Sequence, residues 1–114
     1  MSGTEQQAPG IERTDLQQHD LSIPRREVVQ NRVEISPEAL PYKHFHYGEE
    51  IIYVLEGELE YQIEGEPTRT VKAGEALMVP AEAVHAVRNV GGGDGAELAT
   101  FVVEKGKPLI TLVE

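Results

Sequence analysis

The chain contains no cysteine, which excludes disulfides, cysteine-ligated zinc, iron–sulfur clusters and thiol catalysis together. Any metal it holds must be bound mainly by His, Asp or Glu. Basic residues are scarce as well, ten Lys and Arg against twenty Asp and Glu, for a net charge of −10. Apart from Arg25-Arg26 they are scattered along the chain. Phosphate backbones are held by clustered cations, so the composition argues against nucleic acid as a partner. No apolar run approaches the roughly 20 residues of a membrane span. The opening MSGTEQQAPG lacks the basic start and apolar stretch of a secretory signal, and a cytoplasmic location is the expectation.

What remains fits one domain. At 114 residues the chain can bury a core large enough to stand without staples. Residues 1–20 are polar, with Pro9 and Gly10 and no apolar period, and read as a flexible leader or an arm that pairs with another surface. Residues 21–114 read as the folded unit. From Arg26 onward short β-type runs alternate with turn residues: Glu27–Ile35, Tyr42–His46, Glu50–Leu55, Glu58–Ile63, Arg69–Lys72, Ala76–Val79, Val84–Val90, Glu97–Val103 and Leu109–Val113. No convincing helix pattern interrupts them. Strands at this spacing predict an all-β sandwich or barrel. In Glu58–Glu64, Leu59, Tyr61 and Ile63 share one face and Glu58, Glu60, Gln62 and Glu64 the other. Ile51–Leu55 is apolar on both faces, which predicts cover on both sides, from a second sheet or a partner subunit. Such a strand, together with the arm and the Leu109–Val113 edge, predicts a homodimer.

Three of the four histidines lie centrally. In His44-Phe45-His46 on a strand, both imidazoles point to one face, about 6.6 Å apart at Cα. Tyr47-Gly48 permits a turn, and a following strand pairing beside the first would bring Glu50 to the same face. His85, just beyond the turn at Pro80, could close the set from across the barrel. Alone, each piece has a blander reading: exposed or structural histidines, and a solvated carboxylate in an acidic chain.

The frame holding these pieces resembles the cupin superfamily. Its first motif, G-x5-H-x-H-x3-4-E-x6-G, is matched by His44, His46, Glu50 and Gly57, and its second, G-x5-P-x-G-x2-H-x3-N, by Gly74, Pro80, His85 and Asn89. Glu38 and Glu82 stand where the motifs carry glycine, which predicts two turns built differently. The resemblance implies a single-domain double-stranded β-helix, or jelly-roll barrel, of the small cupin type. It implies that His44, His46, Glu50 and His85 hold one divalent transition metal in the barrel interior. Three imidazoles and a carboxylate suit Fe, Mn, Ni, Zn, Co or Cu, and are too nitrogen-rich for Ca²⁺ or Mg²⁺. The implied function is a metal-dependent enzyme, dioxygenase- or isomerase-like, on a small organic molecule. The alternative is a non-catalytic metal- or small-ligand-binding module. Glu50 is a ligand only, or leaves the metal transiently and acts as the catalytic base. Tyr53, Tyr61, Met78 and Phe101 are candidates for the pocket wall, or plain core. Asn89 orients the site or caps the wall. No Arg or Lys positioned for a carboxylate or phosphate substrate is evident on the predicted inner face.

Overall fold

The computed structural model describes residues 3–113. Among these there are eleven strands and no helix, hence no helix long and apolar enough to cross a membrane. One sheet runs in the order β1 (Gly3–Ala8), β2 (Ile11–Asp20), β3 (Arg26–Ile35), β10 (Ala96–Glu104), β5 (Gly48–Glu56) and β8 (Ala76–Val79). The other runs β11 (Thr111–Leu112), β4 (His44–Phe45), β9 (His85–Asn89), β6 (Glu58–Ile63) and β7 (Arg69–Lys72). Neighbours pair antiparallel throughout, the arrangement of a cupin β-sandwich or jelly roll.

The core forms where the apolar parities of the strands meet. β6 turns Leu59, Tyr61 and Ile63 inward, as its alternation predicts, and they pack with Ile52, Val54 and Val79. A smaller cluster joins Val29, Ala99, Phe101 and Val103, with Leu109 against it. Tight turns depend on the glycines the motif supplies. Gly57 has φ +76°, and a Cβ there would meet Asp94 O at 2.4 Å. Gly48 starts β5 so close to β10 that a Cβ would stand 1.9 Å from Val102 O.

The structure departs from the sequence reading in three places. First, Ile11–Asp20 is a strand, paired along β3 from Ile11↔Ile35 to Asp20↔Glu27. The arm does pair, but with this chain's own sheet. Its inward parity runs Ile11, Arg13, Asp15, so no apolar period announces it. Asp15 instead accepts a bond from Asn31 Nδ2 at 3.4 Å, both residues being buried. Arg13 sits on the same face, with Nε 3.6 Å from Asp15 Oδ1.

Second, within this chain β5 is covered on one face only, so of the two expected sources of cover the second sheet does not reach the other face. Ile52 and Val54 are buried, whereas Ile51 and Tyr53 are 48% and 47% exposed, with Met78 of β8 opposite Ile51 at 54%. Third, the two replaced glycines behave differently. Glu38 has no positive φ, so that turn is indeed built another way. Glu82 keeps the left-handed conformation, φ 61°, and donates its N–H to His46 O at 3.0 Å. A side chain in that conformation costs about 1–2 kcal/mol.

These backbone constraints predict opposite effects at two positions. Gly48→Ala should destabilise by about 3 kcal/mol, since backbone must move to admit the methyl group. Glu82→Gly should stabilise by about 0.5–1 kcal/mol, the relief of strain less the entropy glycine adds to the unfolded chain. Urea unfolding midpoints measure both, and a destabilised Glu82→Gly protein would contradict the strain argument.

Candidate metal centre

Both sheets contribute to the site. His44 lies on β4 and His46 one residue past its end, so both point inward while Phe45 between them is half-buried. His85 opens β9 directly opposite His44 in the ladder. It is therefore a neighbour in the same sheet, not a residue reaching from across the barrel. Glu50 is the one that crosses. Tyr47-Gly48 carries the chain out of the five-stranded sheet into β5 of the other, where Glu50 pairs with Phe101 and Val79. A hairpin beside β4 would have been the shorter route, but Gly48 is already held against Val103 of β10. The four side chains still converge, and all are at least 93% buried, with 7%, 3%, 4% and 3% exposure for His44, His46, Glu50 and His85.

Hydrogen bonding fixes the imidazole tautomers. Nδ1 of His44 faces Tyr42 O at 3.1 Å, that of His46 faces Leu109 O at 2.7 Å, and that of His85 faces Ala83 O at 2.8 Å. A carbonyl oxygen only accepts, so each Nδ1 carries the proton and donates it. Each neutral ring then presents a bare Nε2 lone pair inward. The three ligand atoms lie within 4.8 Å of one another, and these histidines could hold a metal ion. Glu50 Oε1 stands 3.2 Å from His46 Nε2 and 3.1 Å from His85 Nε2. Acceptors so close require a positive charge among them, a proton or a metal. His46 Nε2 is buried with only the Glu50 oxygen beside it and no well-directed hydrogen bond, so its lone pair is open to a metal. The donor set thus fits a transition metal.

The electrostatics agree. Burial, then the neighbouring His85 and His46, push His44 down to about 4, so at neutral pH it is an uncharged ligand. Burial opposes ionisation of Glu50, but a positive charge shared with the adjacent His46 and His85 outweighs it and holds the carboxyl down at about 2.

A second carboxyl shares the cavity. Glu97, on β10, lines it with Tyr42, His44, His46, Glu50 and Phe101. It is 4% exposed and accepts the Tyr61 hydroxyl at 2.5 Å. Burial and the Glu50 charge push Glu97 up to about 8, with the Tyr61 hydroxyl acting in the opposite sense. Sequence reasoning passed over Glu97, although its parity with Ala99, Phe101 and Val103 on one strand was the available signal. Of the four suggested wall residues, Tyr61 and Phe101 are inside, the Phe101 ring 4.7 Å from that of His46. Tyr53 and Met78 lie on the outer face. Asn89 serves a loop, not the site. Its amide donates to Ile35 O and Gly93 O at 2.8 and 2.7 Å and its oxygen accepts from Gly91 N–H. His19 is exposed and apart from the cluster.

Fold and site together define a cupin. The chain belongs to the cupin domain family, whose model matches residues 31–104. It is 46% identical over 50 residues to the polyketide synthase CurC of Streptomyces cyaneus, over 43% of this chain and 32% of that one. The chain thus spans about a third of the length of that curated relative. Among solved structures it resembles the polyketide cyclase RemF of Streptomyces resistomycificus, with TM-score 0.72 and 25% identity over 99% of this chain and 80% of the other. It also resembles an oxalate oxidase in complex with the substrate analogue glycolate, TM-score 0.65 and 30% identity, covering 75% of this chain and 46% of that one.

The raised Glu97 carboxyl has a consequence for stability. Below its unfolded value near 4.5, Glu97 is protonated in both states and pH is without effect through it. Between 4.5 and about 8 the unfolded chain ionises while the fold does not, so stability is lost as pH rises. Glu97→Gln should therefore match the parent melting temperature near pH 4.5 and exceed it increasingly up to pH 8, by at most roughly 1.4 kcal/mol per pH unit. Thermal melts across that range test it, and a constant difference would contradict it.

Proposed function

We propose that this cupin is a metal-dependent enzyme acting on a small, largely apolar organic molecule, with His44, His46, Glu50 and His85 holding one divalent transition metal. One observation carries the substrate side of this reading. A groove of about 620 Å³, lined by Pro9, Leu40, Pro41, Leu112 and their neighbours, shares Tyr42 and Ile110 with the cavity at the histidines. That inner cavity measures only about 40 Å³. It admits the reactive end of a molecule, while the groove is of the size that seats a whole one. Likeness to the Streptomyces polyketide synthase CurC and polyketide cyclase RemF supports an oxygenated, polyketide-type substrate.

A bound metal would supply Lewis acidity toward an oxygen of the substrate. The protein's part is orientation and exclusion of water. The Tyr42, Ala83 and Leu109 carbonyls aim the imidazoles, and Phe101, Val33 and Val87 keep the cavity apolar. Glu50 completes the ligand set and, if displaced, is the base nearest the substrate. Isomerase- or cyclase-like rearrangement is the reaction class this favours. The likeness to oxalate oxidase supports dioxygenase-like chemistry as the second reading. A non-catalytic binding module would need no further polar group in the cavity, and Glu97 weighs against it.

The exposed face carrying Ile51, Tyr53 and Met78 supports a homodimer, because apolar sheet surface of this kind is seldom left to solvent. Light scattering at tens of micromolar should report a dimer, and Tyr53→Glu should shift it toward monomer. A monomeric parent protein would contradict this assembly.

For the metal set, His46→Ala and His85→Ala should each weaken binding beyond the roughly 10–100-fold that losing an outer partner costs, yet remain folded by circular dichroism. His19→Ala should keep full occupancy by elemental analysis. Unfolding of His85→Ala would make the metal structural, and full occupancy in every variant would remove these residues from the site. Given linear poly-β-carbonyl compounds, the metal-loaded protein should convert them equally under argon and air. Conversion in air alone would favour the dioxygenase reading.

A further inference from the structure

Glu97 is placed where a fold has no use for a carboxyl. Its Cα lies opposite Val33 on β3 and Val54 on β5, in the apolar middle of the six-stranded sheet. Tyr61 reaches it from β6 of the facing sheet, and Tyr61 itself is 1% exposed. Burying such a polar pair is costly, and an apolar pair of similar volume would hold the two sheets at least as well. Glu97 itself lines the cavity that His44, His46 and Glu50 share.

We propose that Glu97, as a neutral carboxylic acid braced by Tyr61, donates its O–H to an oxygen of the molecule whose reactive end enters this cavity, and can pass that proton to it. The transfer balances between the two groups. The Glu97 O–H bond breaks with its electron pair left on the carboxylate, and a lone pair of the ligand oxygen takes the proton. Tyr61, still donating to Oε1, holds the carboxylate until a proton returns from water. Facing Glu97 are Glu50 from β5, Tyr61 from β6, Tyr42 ahead of β4, and His44 and His46. Arg13 on β2 is near enough for its charge to act on Tyr42. Glu50 is the ionised carboxylate of the cavity, so a second negative charge at Glu97 would be repelled by it. Burial is the larger cause and the Glu50 charge the smaller, and together they push Glu97 up to about 8 in the metal-free protein. A carboxylic acid held neutral in an apolar site is an effective oxygen-directed donor.

This assignment rests on the proposed metal centre for the seat of the ligand, but the state of Glu97 can be read without metal. In metal-free protein labelled with ¹³C at the glutamate carboxyls, the resonance lost in Glu97→Gln should titrate near pH 8. In zinc-loaded protein, which carries out no redox chemistry, 4-nitrocatechol serves as an oxygen-bearing chromophoric probe. Glu97→Leu should bind it roughly threefold to tenfold more weakly, the loss of one hydrogen bond. Glu97→Gln retains a donor and should restore most of that affinity, with zinc occupancy unchanged in both variants. Melting curves confirm that each is folded, and the isosteric Gln variant keeps the test open should Leu fail. Titration in the ordinary carboxylate range, or unchanged probe affinity in Glu97→Leu, would overturn the proposal. Failure of the metal reading shows separately, as zinc that does not saturate the parent protein at one equivalent, and the ¹³C titration then decides the case for Glu97.

Discussion

Hydrogen-bond acceptors packed face to face in a dry interior repel one another unless a cation lies among them, and the centre of this sandwich is built around that constraint. Backbone carbonyls of Tyr42, Ala83 and Leu109 take the Nδ1 protons of His44, His85 and His46. The inward Nε2 atoms are left as lone pairs, and Glu50 brings a carboxylate oxygen within 3.2 Å of two of them. Desolvation of this kind costs several kcal/mol per charged group when uncompensated. A protein that needed only a stable core would fill the space with apolar side chains, as it does a few ångströms away with Leu59, Val54 and Val71. The arrangement makes sense as a receptor for a positive ion.

The rest of the fold serves to bring those groups together. β4 and β9 supply histidines from one sheet, β5 supplies Glu50 from the other, and Gly48 makes the crossing between sheets possible by its contact with β10. Pro80 and the left-handed Glu82 shape the loop that ends at His85, and Glu82 is tied by its N–H to His46 O at 3.0 Å. The strain at Glu82 is thus stored beside the site, in a loop bonded to one of the three clustered histidines. The segment Leu109–Ile110 closes the cavity from the C-terminal side, where Leu109 O orients His46 and Ile110 faces both the inner cavity and the outer groove.

Where side chains follow a simple parity, the sequence could be read directly. The bounds of β6, β7 and β8 follow from alternation and turn residues, and the H-x-H spacing places two imidazoles on one face whatever the strand's partners are. Pairing partners were not readable. A two-residue turn is compatible with a hairpin or with a crossing to the other sheet, and only the contact of Gly48 with Val103 decides between them. β2 escaped notice because Arg13 and Asp15 occupy inward positions that an apolar period would need, and Asn31 satisfies Asp15 from β3. Which of the two faces of β5 this chain itself covers was not readable, since Ile51 and Tyr53 on the outer face are as apolar as Ile52 and Val54 within. Glu97 was hidden by composition. In a chain with twenty acidic residues one more glutamate on a strand reads as surface, although its parity with Phe101 points inward.

The cupin scaffold therefore accounts for a cavity whose three histidines could hold a metal ion. The proposal of a molecule with a mostly hydrocarbon body and oxygen at one end rests on a narrow inner space, a groove that shares Tyr42 and Ile110 with it, and the buried Glu97 on its wall. All of this depends on the three Nε2 atoms being unprotonated and shared by one ion. The direct measurement is ¹⁵N spectroscopy of the imidazoles during zinc titration of the metal-free protein at neutral pH. The account predicts that His44, His46 and His85 keep their Nδ1 protons while their Nε2 resonances shift together and saturate at one equivalent, with His19 unmoved. Zinc that shifts Nδ1 instead, moves His19 alongside the others, or saturates without all three central histidines would contradict it.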